Sequence, residues 1–173
     1  MLASSNWAFT VQDDGLTWKY ASRIDVVAAM EAKVGEGPCE PALVVLADGR
    51  VMTALRLSGG IPLWQAYSSD NGGTWTVPVP MQGKAAATGK AMVPYAVWPQ
   101  LLRLSNGVLC LASGRPGIGF WLDVSPKSDG TEWMGYDVEA EHDRELLVSV
   151  RKFQCIVIML WRARELVLCE SAH

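Results

Sequence analysis

The stretch Ser68–Trp75, SSDNGGTW, sets a run of turn-forming residues in front of one large aromatic residue. Asp70 can accept hydrogen bonds from backbone N–H groups two or three residues further on, and Gly72 and Gly73 tolerate positive φ. Trp75 offers a large apolar surface to a neighbouring element. The stretch therefore predicts a tight turn that joins two strands and is closed by a packed tryptophan.

Two similar stretches occur elsewhere in the chain. VQDDGLTW spans Val11–Trp18, where Asp13 and Trp18 occupy the places of the aspartate and the tryptophan of SSDNGGTW. SPKSDGTEW spans Ser125–Trp133, but it has one extra residue and a displaced aspartate, so we expect a degenerate copy. In chain order we call the three stretches turn boxes 1, 2 and 3.

The spacing of the turn boxes indicates an internal repeat. Trp18, Trp75 and Trp133 are separated by 57 and then 58 residues. A second marker keeps the same step, because Gly49 and Gly107, in two further turn dipeptides, lie 58 residues apart. Two independent markers in phase predict a repeated structural unit.

The segments between these markers are typical of short strands. Ala42–Leu46 and Val51–Leu55 flank an Asp-Gly turn and predict a hairpin, which Leu101–Leu104 and Val108–Ala112 repeat around Asn-Gly. Pro62–Tyr67 then leads into turn box 2 as a further strand. About four short strands in each period match one blade of a β-propeller. The predicted fold is all-β, with about three blades in residues 1–144.

Composition restricts the classes of function. The net charge of −3 without a basic block argues against nucleic-acid binding. The four cysteines show no paired spacing and the chain has only two histidines, so we expect neither a metal site nor a cofactor. The longest apolar run, Cys155–Trp161, is too short to predict a membrane span.

The segment 145–173 loses the repeat and contains no glycine or proline. Its apolar pattern fits either a strand or an amphipathic helix. Our hypothesis is that this tail is non-native sequence from a truncated or misread gene model. The alternative is that it caps an open edge of a sheet.

The S-x-D-x-G-x-T-W pattern, repeated once per unit, resembles the Asp-box of the sialidase (neuraminidase) superfamily, which is also called the BNR repeat. The segment Glu40–Arg56, EPALVVLADGRVMTALR, is similar to a sialidase segment in which a glutamate precedes a strand, an Asp-Gly turn and a second strand ending in arginine. The resemblance covers roughly residues 7–135. It implies a six-bladed propeller of which this chain carries an incomplete part.

The resemblance also implies roles for individual residues. Glu40 would polarise a tyrosine nucleophile, since a phenol is a poor nucleophile until a carboxylate takes its proton. Arg56, and less directly Arg115, would clamp the carboxylate of the sugar through the fork geometry of a guanidinium. Asp13 and Asp70 would be structural turn residues at the blade periphery. Each functional reading has an alternative: a solvated carboxylate for Glu40, an inter-blade salt bridge for Arg56 and a turn anchor for Arg115.

Several parts of the sialidase pattern are missing. No early Arg-Ile-Pro clamp and no acid/base aspartate precede turn box 1, and Tyr95 and Tyr136 lack the context of the nucleophile. The resemblance therefore implies a fragment of an exo-glycosidase for terminal sialic acid or a related acidic sugar, inactive as it stands. The alternative is a non-catalytic Asp-box propeller that binds glycans or protein partners.

Overall fold

The computed structural model describes residues 6–24, 38–57, 61–95, 97–114 and 119–137. This part of the chain contains twelve strands and no helix, which confirms the all-β prediction. Arg115 and the tail 145–173 lie outside the described residues. The strands are β1 (Asn6–Val11), β2 (Trp18–Ile24), β3 (Cys39–Val45), β4 (Val51–Arg56), β5 (Trp64–Ser68), β6 (Val79–Pro80), β7 (Gly83–Ala85), β8 (Ala91–Met92), β9 (Val97–Arg103), β10 (Leu109–Gly114), β11 (Gly119–Asp123) and β12 (Trp133–Asp137).

Strands β3 to β6 form one antiparallel four-stranded sheet in chain order. The predicted hairpin joins β3 to β4, and its turn is closed by hydrogen bonds from Leu46 N to the Arg50 carbonyl (2.8 Å) and from Gly49 N to the Leu46 carbonyl (3.1 Å). Gly49 has a φ of 87°, which explains the glycine at this place. The β9–β10 turn repeats the arrangement with Gly107 at a φ of 89°.

A six-stranded sheet follows, in the order β8-β7-β12-β11-β10-β9. Its strands β9 to β12 repeat the β3–β6 meander. Strands β7 and β8 add to the outer edge of this meander, where β7 pairs parallel with β12. This addition depends on Gly83 and Gly135, because a Cβ there would come within 2.8 and 2.6 Å of the Trp121 ring.

Strands β1 and β2 form a separate antiparallel hairpin. Each turn box lies at an equivalent place, between β1 and β2, between β5 and β6, and between β11 and β12. We therefore define repeat 1 as β1–β2, repeat 2 as β3–β6 and repeat 3 as β9–β12. Turn box 2 and turn box 3 each join the third and fourth strands of their repeat.

The core lies on both faces of the repeat 2 sheet, because successive side chains of a strand point to opposite faces. One cluster fills the space between repeats 2 and 3, where β3 also lies beside β9. Its buried members are Ala42, Leu46, Met52, Ala54, Leu63, Met81, Leu109, Leu111, Trp121 and Trp133. The second cluster joins repeats 1 and 2 and consists of Ile24, Leu55, Leu57, Trp64 and Ala66. In each described sheet the first and last strands are not hydrogen-bonded to each other, so the sheets are open.

Candidate functional site

Glu40 lies near the start of β3 in an unusual backbone conformation. Its φ is 44°, in the left-handed region that non-glycine residues seldom occupy. The register between β3 and β4 shifts between Cys39 and Ala42, so Glu40 is part of a β-bulge. Bulges re-aim side chains, and this one turns the Glu40 carboxylate towards both β4 and β9.

Arg56 ends β4 opposite Cys39, and the structure brings its side chain to Glu40. Arg56 Nη1 lies 3.3 Å from Glu40 Oε1 and donates a second hydrogen bond to Cys39 Sγ, also at 3.3 Å. The Arg56 side chain is 12% exposed and that of Glu40 is 31% exposed. The two residues that the sequence singled out 16 positions apart therefore form one partly buried ion pair.

The second oxygen of Glu40 is held by repeat 3. The backbone N–H of Trp98 donates to Glu40 Oε2 at 2.6 Å. Trp98 has a φ of 58°, precedes a proline as Glu40 does, and lies 58 residues further on, so the two occupy the same place in successive repeats. The indole of Trp98 is 62% exposed. Sequence reasoning missed this residue, although the 58-residue step from Glu40-Pro41 leads to it.

The arrangement links two repeats through one carboxylate and leaves a large aromatic surface beside it. An arginine, a carboxylate and an exposed indole are side chains that can bind a polar ring compound by charge-assisted hydrogen bonds and apolar contact. The contacts that the structure gives Glu40 are to Arg56 and Trp98, and no tyrosine hydroxyl is among them.

Tyr67 is not in a state that suits nucleophilic attack. Burial, followed by the nearby negative charge of Asp129, raises its pKa to about 12. The protonated phenol accepts a hydrogen bond from Gln65 Nε2 at 3.1 Å and donates one to the Gly130 carbonyl at 3.4 Å. One of its hydrogen bonds therefore lies within β5 and the other joins repeats 2 and 3, and neither partner is a carboxylate that could take the phenol proton.

The carboxylate oxygens of the aspartates in turn boxes 1 and 2 accept hydrogen bonds from residues of the same turn. Asp70 accepts hydrogen bonds from Thr74 N and Thr74 Oγ1, both at 2.8 Å, four residues on rather than the predicted two or three. These bonds, the backbone one first, hold the pKa of Asp70 below its usual range. Asp13 binds Thr17 in the same way, and its pKa is lowered chiefly by the Thr17 hydroxyl.

The closing tryptophans of these boxes differ in their partners. Trp18 Nε1 donates to the Gly15 carbonyl within turn box 1 at 3.0 Å. Trp75 Nε1 instead donates to Ser22 Oγ of repeat 1 at 3.1 Å. Trp75 thus packs against a neighbouring repeat, as the sequence predicted, whereas Trp18 is mostly exposed.

Turn box 3 divides the contacts of the box aspartate between two residues. Asp129 binds the hydroxyls of Ser125 and Thr131, as Asp70 binds those of Ser68 and Thr74. Asp123, at the end of β11, accepts hydrogen bonds from Gly130 N (2.8 Å) and Glu132 N (3.2 Å). It also accepts one from Ser125 Oγ at 2.9 Å. The sequence analysis did not single out Asp123, because it lies on the preceding strand and outside the box.

The cysteines in the described part of the chain lie at different depths. Cys39 is half-buried and contacts Arg56, whereas Cys110 is buried and burial raises its pKa to about 12. Within the described ranges, no three His, Cys, Asp or Glu side chains lie together as metal ligands would. The same part of the chain has no helix of the length and hydropathy that crossing a membrane requires.

Comparison with known proteins gives a likeness to solved structures. No protein-family model matches the sequence, and no curated protein matches it either. A crystal structure of a protein of unknown function from Dyadobacter fermentans DSM 18053 is similar, with a TM-score of 0.55 and 26% sequence identity. The match covers 75% of this chain and 32% of that one, so the chain spans about a third of the length of this solved structure.

Proposed function

We propose that this chain is part of a sialidase-like exo-glycosidase that hydrolyses terminal sialic acid or a related acidic sugar from glycans. In this proposal the three repeats are consecutive blades of a six-bladed propeller. The contact between Glu40 and Arg56 carries the proposal, because it places a carboxylate and a guanidinium at neighbouring strand ends. The three turn boxes at equivalent places support the blade interpretation.

The proposed chemistry assigns Arg56 to the sugar carboxylate. A guanidinium presents five donors in a planar fork, so it can bind a substrate carboxylate and Glu40 at the same time. Glu40 would then orient Arg56 and receive a proton from a tyrosine nucleophile, the exception among glycosidases that otherwise use two carboxylates. Arg115 remains a proposed second clamp.

Release of a fluorogenic sialoside tests this proposal in the longest form of the protein that the gene encodes. We expect Arg56→Ala to lower kcat/KM by about a hundredfold, since a charge-assisted hydrogen bond contributes about 1.5–3 kcal/mol. Arg50→Ala is the matched control, because Arg50 pairs with Asp48 at the opposite end of the same hairpin. A folded protein that releases no sialoside would exclude the glycosidase.

One observation favours a second function, a non-catalytic module that binds glycans or proteins. Both oxygens of Glu40 are already bonded to the protein, which suits a permanent link between repeats better than a proton acceptor. In that case the exposed indole of Trp98 is the contact surface. Sialoglycans should then bind without being hydrolysed, and Trp98→Ala should weaken their binding in calorimetry.

A further inference from the structure

Two turns of the protein contain an Asn-Gly pair, which is a chemically labile sequence. Asn71-Gly72 lies in turn box 2 and Asn106-Gly107 in the β9–β10 turn, and both asparagine residues are exposed. In such a pair the backbone nitrogen of the glycine can attack the Cγ carbon of the asparagine, because glycine has no Cβ to obstruct the approach. The two pairs have different surroundings, and these determine which of them reacts.

The reaction is deamidation, and it needs only water besides the chain itself. The glycine N–H gives up its proton to the solvent, since the nitrogen is a weak nucleophile while it is protonated. The nitrogen then forms a bond to Cγ, the C–N bond of the side-chain amide breaks, and that amide takes up a proton and leaves as ammonia. Water opens the resulting succinimide ring at either of its carbonyl groups and yields aspartate or isoaspartate.

Turn box 2 holds the attacking nitrogen of its pair firmly. The N–H of Gly72 donates to Ser68 Oγ at 2.7 Å in a buried contact, and the Ser68 hydroxyl donates to Asp70 Oδ1 at 2.8 Å. The Gly72 carbonyl accepts from Ser22 Oγ of repeat 1, so both polar groups of this glycine are fixed. The negative charge of Asp70 opposes loss of the Gly72 proton. These contacts protect Asn71.

The β9–β10 turn has the opposite electrostatic surroundings. The N–H of Gly107 donates to an uncharged acceptor, the Leu104 carbonyl, at 2.9 Å. Gly107 is half-buried, whereas Gly72 is buried. Arg103 Nη2 lies 4.0 Å from the place that a Cβ on Gly107 would occupy. Its positive charge favours the deprotonated nitrogen, and it favours the negative charge that develops on the amide oxygen during the attack.

The side chain of Asn106 is also prepared for the attack. Its Oδ1 accepts a hydrogen bond from the backbone N–H of Val108 at 3.1 Å. This bond withdraws electrons from the side-chain carbonyl, so Cγ becomes more electrophilic. A bond of this kind also forms an Asx turn, which folds the side chain back along the following peptide. The electrophile is therefore activated and held beside the Gly107 nitrogen.

Repeat 2 shows that the turn accepts the aspartate product. Asp48 occupies the place of Asn106 one repeat earlier, and its Oδ1 accepts from Arg50 N at 3.0 Å as Asn106 Oδ1 accepts from Val108 N. An aspartate at position 106 would keep this bond and gain a charge that Arg103 can balance. Isoaspartate adds a carbon to the main chain, so it would lengthen the turn and disturb the pairing of β9 with β10.

We propose that Asn106 is a site of spontaneous deamidation in the folded protein, and that turn box 2 protects Asn71 from the same reaction. The opposite signs of the charges beside the two pairs, Arg103 and Asp70, carry the proposal together with the buried bond of Gly72. The proposal does not depend on the glycosidase activity.

Incubation of the purified folded chain at mildly alkaline pH, followed by peptide mass spectrometry, tests the proposal. Replacement of the amide group by a hydroxyl group is detected as a small increase in the mass of the peptide. We expect Asn106 to lose its amide at least about tenfold faster than Asn71, because one nearby charge moves a proton equilibrium by about tenfold or more. In urea the contacts of both turns are lost, so the two asparagine residues should react at similar rates.

A charge-removing variant tests the role of the guanidinium. Arg103→Gln should slow the reaction of Asn106 by about threefold or more, a moderate effect because Arg103 is exposed and solvent screens its charge. Lys19→Gln is the matched control, because it removes an exposed positive charge from repeat 1 and should leave the rate unchanged. The proposal is overturned if Asn71 reacts as fast as Asn106 in the folded protein, if the difference persists in urea, or if both variants slow the reaction equally.

Discussion

At the scale of the residue, Asp70 is an aspartate whose two carboxylate oxygens both accept hydrogen bonds within its own turn. Its carboxylate accepts hydrogen bonds from the backbone and hydroxyl of Thr74 and from the hydroxyl of Ser68. Each bond favours the charged form, so the folded protein holds the pKa of Asp70 below the value of the unfolded chain. The turn is therefore coupled to pH through this residue.

The sign of this coupling predicts acid sensitivity. Because the folded pKa of Asp70 is lowered, its contribution to stability is fully present above about pH 3.9 and is lost as the pH falls through the folded pKa. We expect the urea midpoint of the wild type to fall more steeply in acid than that of Asp70→Asn. Thr74→Val keeps the backbone N–H, which is the largest cause of the shift, and should flatten the profile less. Equal profiles for Asp70→Asn and the wild type would contradict the prediction.

Trp98 gives a residue-scale prediction that rests on its backbone. A side chain with a Cβ in the left-handed region costs about 1–2 kcal/mol, a cost that glycine avoids. Trp98→Gly should therefore be about 1 kcal/mol more stable than Trp98→Ala, since both variants lose the same indole. Urea denaturation of the two proteins measures the difference, and an alanine variant that is the more stable one would contradict it.

The pairing of Glu40 with Arg56 could be predicted from the sequence because both lie on one hairpin, whose register an Asp-Gly turn determines. The contact with Trp98 could not be predicted in this way. It joins two repeats, and its donor is a backbone N–H. Because almost every residue type has a backbone N–H, the residue at position 98 gives no sign of this bond. The sequence therefore allows contacts within one hairpin to be predicted, but not contacts between two sheets.

At the scale of the element, turn box 3 uses a carboxylate from the preceding strand in addition to the aspartate of its own loop. The Asp123 carboxylate is buried and accepts from Ser125, Gly130 and Glu132, whereas Asp129 is half-buried and binds Ser125 and Thr131. A carboxylate that binds the turn can therefore come from the strand before the box as well as from the box itself. A pattern search restricted to the box itself finds Asp129 and misses Asp123.

Removing the recruited carboxylate should be costly. Asp123→Ala leaves several buried donors without an acceptor, and each such group costs about 1–3 kcal/mol, so we expect a loss of about 3 kcal/mol in unfolding free energy. Asp129→Ala is the matched control and should cost about 1 kcal/mol or less. Urea denaturation at neutral pH measures both. Equal losses would mean that Asp129 shares the structural role.

At the scale of the whole molecule, the repeat 2 sheet lies between two core clusters. Leu111 belongs to the cluster shared with repeat 3, and Leu55 to the cluster shared with repeat 1. Because both clusters pack against the same strands, we expect Leu111→Ala and Leu55→Ala to shift one common transition, each by about 2–5 kcal/mol. Leu43→Ala, at an exposed position of β3, should change stability by about 0.5 kcal/mol or less.

Circular dichroism and tryptophan fluorescence, followed on the same samples, check this cooperativity. Coincident curves are expected for all three variants. Two separated transitions, with each leucine affecting only one, would show that repeats 1 and 3 unfold independently.

The sequence predicted the all-β class and the positions of the turns. The 57- and 58-residue steps located the turn boxes and hairpins, because a repeat multiplies the same local signal. The step from Trp7 to Trp64 to Trp121 was overlooked, although it is equally regular and marks the strand that packs between repeats. The parallel strand β7 was also missed, since its partner β12 lies far along the chain and three residues carry little periodicity.

Glu40 and Trp98 lie in two separate β-bulges, one between β3 and β4 and the other between β9 and β10, and this repetition has a practical consequence. The same left-handed, pre-proline backbone carries an acid in one repeat and an indole in the next, so the main chain there tolerates very different side chains. Such a position lets protein engineering place different side chains on the same backbone conformation, although an exchange at Glu40 would also remove its bonds to Arg56 and Trp98. Exchanging the two residues, as Glu40→Trp and Trp98→Glu, would show whether the fold accepts either side chain at both positions.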